Sequence, residues 1–190
     1  MEYVEPIRDI AKIKEIKNIL LKKSLRDYTL FVLGINTGLR SSELLCLKIS
    51  EVYDFDRDCV KEFLCPESRK DKAYSAFYLN DQVKEALITY IKNTSFSSSD
   101  FLFKSAKSYS SPITRQQAYR IILQAVRDAG IEDKIGTHTL RKTFGYHAYR
   151  KGVAISLLQK IFHHTTKAET LAYIGVKSVK QNDVRVDVNL

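Results

Sequence analysis

Several features are missing from this 190-residue chain, and each absence narrows what it can be. No apolar run approaches the ~18 residues needed to cross a bilayer as a helix. The N-terminus, MEYVEPIRDI, has neither a basic leader nor an apolar segment behind it, so a secretory signal is not expected. There are only three cysteines, Cys46, Cys59 and Cys65, an odd number without the paired spacing of a zinc site. They read as reduced thiols, and the expected location is cytoplasmic. Internal repeats and low-complexity tracts are absent. The length suits one domain with a proper core.

Acidic charge is the next shortage. Lys and Arg number 31 against 22 Asp and Glu, a net charge of +9. Between Lys104 and Lys180 there are 14 basic and 4 acidic residues, against 17 and 18 elsewhere, so the whole excess lies in the second half. Such a field attracts a polyanion and makes its binding salt-dependent.

The pattern of elements is mainly helical. Residues 9–23 read as a surface helix capped by Asp9, with Ile10, Ile13, Ile16 and Leu20 inward. Ser24 opens a second helix that stops at Gly38, and Ser41 or Ser42 caps a short one from Glu43 to Lys48. Val60–Leu64 and Tyr74–Leu79 have strand character and flank the charged turn Pro66–Lys72. Asp81 caps a helix to about Lys92, with Val83, Leu87, Ile88 and Ile91 inward. Thr114 and Gln117 form a capping box for a helix ending at Gly130, with Arg115, Arg120 and Arg127 among its apolar residues. Thr139 to about Lys151, Ala154 to Phe162, and a last helix opened by a Thr166–Glu169 capping box complete the set. Ile155, Leu157, Leu158 and Ile161 mark the inner face of the middle one. The fold class is α+β, mostly α-helical with a small antiparallel β-sheet.

The chemistry-bearing residues lie between His138 and Tyr173. His138 and Arg141 are three apart and share a helix face, where both can reach one anion. His164 follows Arg141 by 23 residues, and Tyr173 follows His164 by nine. Far upstream stands Thr37-Gly38-Leu39-Arg40-Ser41-Ser42-Glu43-Leu44. In order and spacing these residues resemble the two conserved boxes of the tyrosine recombinases, or phage integrases, over roughly Ser24 to Gly175. One position departs from the family: Phe162-His163-His164 stands where Leu-Gly-His is usual.

The resemblance implies the tyrosine-recombinase catalytic fold and site-specific DNA strand exchange. Tyr173 attacks phosphorus, leaving a 3′-phosphotyrosyl bond and a free 5′-hydroxyl, with no cofactor and no metal. Arg40 and Arg141 grip the phosphate oxygens, His138 serves as base, His164 holds a phosphate oxygen, and the hairpin lysine, Lys70, protonates the leaving oxygen. Arg69 and Lys72 compete with Lys70 for that assignment. Arg115, Arg120 and Lys142 are candidate DNA contacts. His163, His164 and His147 do not form a zinc site, since adjacent helical histidines diverge and no carboxylate or cysteine stands at ligand spacing. The expected partner is a double-stranded recombination site, bound as a homotetramer; without DNA the expectation is a monomer or weak oligomer, with no membrane association. Only about 36 residues precede the first box, so residues 1–190 are expected to be one catalytic domain, core 9–175 and tail 176–190, without an N-terminal core-binding domain. Alternating Asp183–Val188 is expected to be a strand docking on a neighbouring protomer. Two other readings share these residues: a type IB topoisomerase, and a non-catalytic DNA-binding regulator descended from a recombinase.

Overall fold

A computed structural model describes residues 4–68, 76–106, 108 and 110–176. The helices are α1 (Ile10–Lys23), α2 (Leu25–Thr37), α3 (Ser41–Leu45), α4 (Ile49–Val52), α5 (Asp81–Lys92), α6 (Arg115–Asp128), α7 (Thr139–Arg150), α8 (Ile155–Phe162) and α9 (Lys167–Tyr173). Four two-residue strands lie between α4 and α5: β1 (Tyr53–Asp54), β2 (Cys59–Val60), β3 (Phe63–Leu64) and β4 (Phe77–Tyr78). They form two antiparallel ladders, β1 with β2 and β3 with β4.

Helix α2 is the axis of the domain because its sequence is apolar nearly all round, so it must be covered on several sides. Leu30, Val32 and Leu33 face a core shared with α3, α4, the strands and α5. Phe31 turns the other way, into a second core built with Ile13, Ile16 and Leu20 of α1 and Ile122, Ala125 and Val126 of α6. A third, smaller cluster of Leu158, Phe162 and Ile174 holds α8 and α9 together. It sits directly on α7: a Cβ at Gly145 would stand 2.6 Å from Ile174 and 2.7 Å from Phe162, so only glycine lets these helices close.

Cap chemistry sets most boundaries. Asp9 accepts from Ala11 N, Ser24 from Asp27 N and Thr114 from Gln117 N, each satisfying a first-turn amide. Four sequence expectations are corrected. The cap of α5 is Asn80, whose Oδ1 accepts from Val83 N, and Asp81 is the first helical residue. Ile10 (62% exposed), Ile88 (37%) and Leu157 (43%) face outward, with Ala86 and Tyr90 filling the core on α5 instead. The strand expected at Val60–Leu64 is split: Val60 pairs with Tyr53, while Phe63 and Leu64 pair with Tyr78 and Phe77. The chain changes partner between them, Lys61 N reaching Val52 O and Leu79 N reaching Glu62 O. The short helix after Gly38 begins at Ser41 rather than Glu43, and its cap is Arg40. Lys70, its competitors Arg69 and Lys72, and the tail segment Asp183–Val188 lie outside the described residues.

Candidate active site

The site is assembled by two turns and three helix ends. At the first turn, α2 stops at Gly38, whose φ of 66° is the left-handed C-cap conformation that glycine adopts without penalty. The chain then reverses into α3 with Arg40 as N-cap. Its backbone N–H donates to Glu43 Oε2 at 2.7 Å, the carboxylate arm of a capping box, and Glu43 Oε1 stands 3.7 Å from Arg40 Nη1. Glu43 is buried while Arg40 is about half exposed, so a buried carboxylate steadies an arginine whose head reaches the surface.

Arg141, on the first turn of α7, is 5% exposed. It donates to the Gly38 carbonyl and, at 3.2 Å, to the Ile161 carbonyl, and its guanidinium lies 4.6 Å over the Phe162 ring. These contacts tie the Gly38 turn, α7 and the end of α8 to one cation. A planar fork held by fixed carbonyls and a ring is preorganised for a bidentate anion in a way that a lysine is not.

At the second turn α8 ends on His163, with φ 59° and ψ 42°. This is the position where the sequence departs from the usual glycine, and the chain adopts the left-handed conformation there regardless. The strain of an L-residue in that region is about 1–2 kcal/mol. His164 follows, its N–H bonded to Gln159 O at 3.0 Å and its Nδ1 3.1 Å from Thr170 Oγ1. Helix α9 is capped by Thr166, which accepts from Glu169 N at 3.0 Å. The return arm of the expected capping box shifts by one residue: the Glu169 carboxylate accepts from Thr165 N (2.9 Å) and Thr165 Oγ1 (3.1 Å).

Helix α9 carries Tyr173 to the centre. Its hydroxyl is 3.4 Å from His138 Nδ1, and its ring centroid is 4.9 Å from that of His164 and 5.3 Å from that of Phe162. Burial pushes the phenol pKa above 10, against the lowering pull of the Arg141 charge, its hydrogen bond and the Arg40 charge. Burial holds both imidazoles below 6.5. For His138 the charges of Arg141, Lys142 and Arg115 push the same way; for His164 the Arg141, Arg40 and His163 charges do so, with Glu169 opposing. At neutral pH the site is therefore a protonated phenol beside a neutral imidazole in a field of fixed cations. Among the described residues no cluster of three or more metal-type side chains exists.

The structure thus brings together Arg40, His138, Arg141, His164 and Tyr173. The three expected DNA contacts separate. Arg115 is exposed at the start of α6, beside Ser41 and Thr137. Arg120 is exposed elsewhere, bordering a groove with Leu20, Lys23 and Asp27. Lys142 is 7% exposed and donates to the Val4 carbonyl at 2.8 Å, so it is an interior residue and not a surface contact. Two members of the site escaped the sequence reading. Phe162, the platform under Arg141 and Tyr173, looks like any apolar helix residue. Glu43 was visible only as part of a motif, and its position three residues after the Arg40 cap is the signal that could have shown its second role.

The sequence matches the phage integrase family over residues 8–179, and the chain belongs to that family, the tyrosine-type site-specific recombinases. It is 40% identical over 176 residues to a probable integrase/recombinase, YoeC, of Bacillus subtilis, covering 93% of this chain and 92% of that protein. A tyrosine recombinase of Pseudothermotoga lettingae is 31% identical over 93% of this chain and 59% of its own length. The crystal structure of XerA recombinase superposes with a TM-score of 0.74 at 25% identity, over 93% of this chain and 62% of that one. The fold is shared with a lambda integrase dimer bound to a COC′ core site, at a TM-score of 0.65 and 14% identity, over 98% of this chain and 65% of that one. The chain therefore spans nearly the whole Bacillus relative but only about three fifths of the others. No described helix is long and apolar enough to cross a membrane.

Proposed function

We propose that this chain cuts and rejoins double-stranded DNA at a specific site, with Tyr173 as nucleophile and a 3′-phosphotyrosyl bond as intermediate, to integrate, excise or invert a DNA element. The observation that carries this reading is the 3.4 Å approach of the Tyr173 hydroxyl to His138 Nδ1 between the charges of Arg141 and Arg40. The relatives support the substrate class: solved neighbours include XerH bound to its difH substrate and the Tn1549 integrase with a circular intermediate DNA.

The chemistry follows from charge. Attack on a phosphodiester builds negative charge on the equatorial oxygens, and Arg40 and Arg141 answer it with cations present at any working pH. The raised phenol pKa makes an unaided phenolate scarce, so a base must take the proton as the O–P bond forms. His138 does this as the neutral tautomer whose Nδ1 carries the lone pair, and its lowered pKa favours the neutral ring. His164 holds a phosphate oxygen through Nε2–H. Its Nδ1 then accepts from Thr170, whose hydroxyl turns away from the Thr166 carbonyl 3.1 Å off. Lys70 gives its proton to the departing 5′-oxygen. The phosphotyrosyl bond keeps the energy of the phosphodiester, so rejoining is the reverse step and needs no nucleotide.

Exchange between two duplexes cuts four strands, and each chain carries one Tyr173, so the working assembly on DNA is a homotetramer. Without DNA the chain is a monomer or weak oligomer. Its place of action is the nucleoid.

The test is covalent trapping. Nicked duplexes from a randomised pool are incubated with the protein and resolved on a denaturing gel, and the trapped DNA is sequenced. The wild-type chain is expected to form an adduct on one sequence, and Tyr173→Phe none while binding that duplex with unchanged affinity. An adduct from the Phe variant would remove Tyr173 from the role.

A further inference from the structure

The segment before α1 runs along one face of α7, bonding Thr143 and His147, and reaches the end of α9. Val4, Pro6 and Ile7 are buried, although nothing in the segment is helical or stranded. Its backbone is bonded along its length: Glu5 N to Lys134 O at 2.9 Å, Ile7 N to Thr143 Oγ1 at 2.9 Å, and Ile7 O to His147 Nε2 at 2.9 Å. Two side-chain ties go further, and both end at the helix that bears the nucleophile.

The first runs through Lys142. Its ammonium donates to Val4 O at 2.8 Å and stands 5.1 Å from the centre of the Tyr173 ring, so one buried cation spans strap and nucleophile. The second runs through Arg8, which bonds Glu5 Oε2 at 2.7 Å and Gly175 O at 3.1 Å, two residues past Tyr173. Helix α9 has seven residues and cannot fix its own direction. Phe162 and His164 take two sides of the Tyr173 ring, and Lys142 takes another.

We propose that residues Val4 to Asp9, with Lys142 and Arg8, form a strap that positions Tyr173: Lys142 holds the ring by its charge and Arg8 holds the end of α9. This inference rests on Tyr173 being the nucleophile. A cation over an aromatic face attracts it most strongly when desolvated, and Lys142 is desolvated. Its burial lowers its own pKa while the nearby Glu5 raises it, and the carbonyl contact favours the charged form. The same charge bears on His138, together with Arg141 and Arg115, and favours the neutral imidazole that can take the phenol proton. Strap, nucleophile and base are thus linked through one side chain.

The test uses the full chain and the duplex selected by covalent trapping. Lys142→Met keeps the aliphatic stem and removes the charge. Single-turnover cleavage is expected to fall about tenfold or more, as misplacement of a reacting group does, with unchanged affinity for the duplex. The four histidines, followed by NMR titration of the protein alone, give a second readout. His138 is expected to titrate at higher pH in Lys142→Met, and the acid limb of the cleavage profile moves up with it, while Lys142→Arg restores both. Arg8→Gln, at a partly exposed side chain, is expected to slow cleavage and leave the His138 titration in place. Wild-type cleavage in Lys142→Met, or an unmoved His138 in it, overturns the proposal. If Lys142→Met loses its fold by circular dichroism, Arg8→Gln decides: slowed cleavage at an unchanged melting temperature supports the strap, and wild-type cleavage removes it. If the wild-type protein traps no DNA, the nucleophile assignment fails instead, and the His138 titration still judges the Lys142 link.

Discussion

At the scale of single residues, the site depends on backbone positions as much as on reactive groups. Gly38 does two things at once. Its left-handed φ ends α2, and its carbonyl accepts from Arg141. A Cβ there would meet the Phe144 ring at 2.3 Å, so a side chain must displace either the ring or the turn. Gly38→Ala is expected to cost about 2 kcal/mol or more, the left-handed penalty and the clash adding together. It would also loosen Arg141, for which loss of a preorganised donor sets the scale of ~10²–10³ in rate. Urea denaturation and single-turnover cleavage check the two effects separately. Stability lost with the cleavage rate intact would show that the Gly38 carbonyl does not orient Arg141.

At the scale of elements, legibility followed the kind of force at work. Local hydrogen-bond chemistry could be read directly: Asp9, Ser24, Thr114 and Thr166 cap where the sequence places them, because each needs only its own next three residues. Adjacent candidates were harder to rank. Asn80 took the cap expected of Asp81, its amide also donating to Asn36 Oδ1 at 2.8 Å, a partner no local pattern shows. Helix α7 was the least legible. It buries Thr139, Arg141, Lys142, Thr143 and Gly145, so apolar periodicity says little about its inner face. Its interior is polar because it faces the reaction on one side and the strap's backbone on another. The motif residues could be placed by their spacing, while Lys142 and the strap depend on contacts more than 130 residues apart.

Helix α9 gives this scale its prediction. With seven residues and one cap, it has little intrinsic stability. Removing the cap through Thr166→Ala is expected to cost about 1 kcal/mol. In so short a helix, fraying would reach Tyr173, so cleavage is expected to fall by more than the loss of stability alone explains, with DNA affinity unchanged. The neighbouring Thr165→Ser keeps the hydroxyl and backbone contacts to Glu169 and is expected to behave as wild type. A Thr166→Ala chain that melts lower but cleaves normally would mean that α8 and the strap alone hold α9.

At the scale of the molecule, the basic excess of the second half becomes a surface only where the fold exposes it. Lys142 is interior, so it sets local electrostatics at the site rather than contact area. Helix α6 shows the sorting most clearly. Arg115 and Arg120 are five positions apart, which turns them about 140° from one another around the helix. Arg115 borders Ser41 and Thr137, and its charge reaches His138. Arg120 borders Leu20, Lys23 and Asp27 at the α1–α2 corner. If DNA lies across the face that holds Arg40 and Tyr173, Arg115 rather than Arg120 is the one of these two arginines that can neutralise a phosphate. Each phosphate neutralised contributes about −0.9 to the slope of log affinity against log salt concentration. Arg115→Ala is therefore expected to weaken binding and flatten that slope by about one such unit, whatever the duplex sequence. Arg120→Ala is expected to leave both affinity and slope unchanged. Fluorescence anisotropy of a labelled duplex over a salt series measures the two variants side by side. Equal losses in both would mean that the DNA also covers the α1–α2 corner, and a loss in Arg120→Ala alone would place it on the other side of α6.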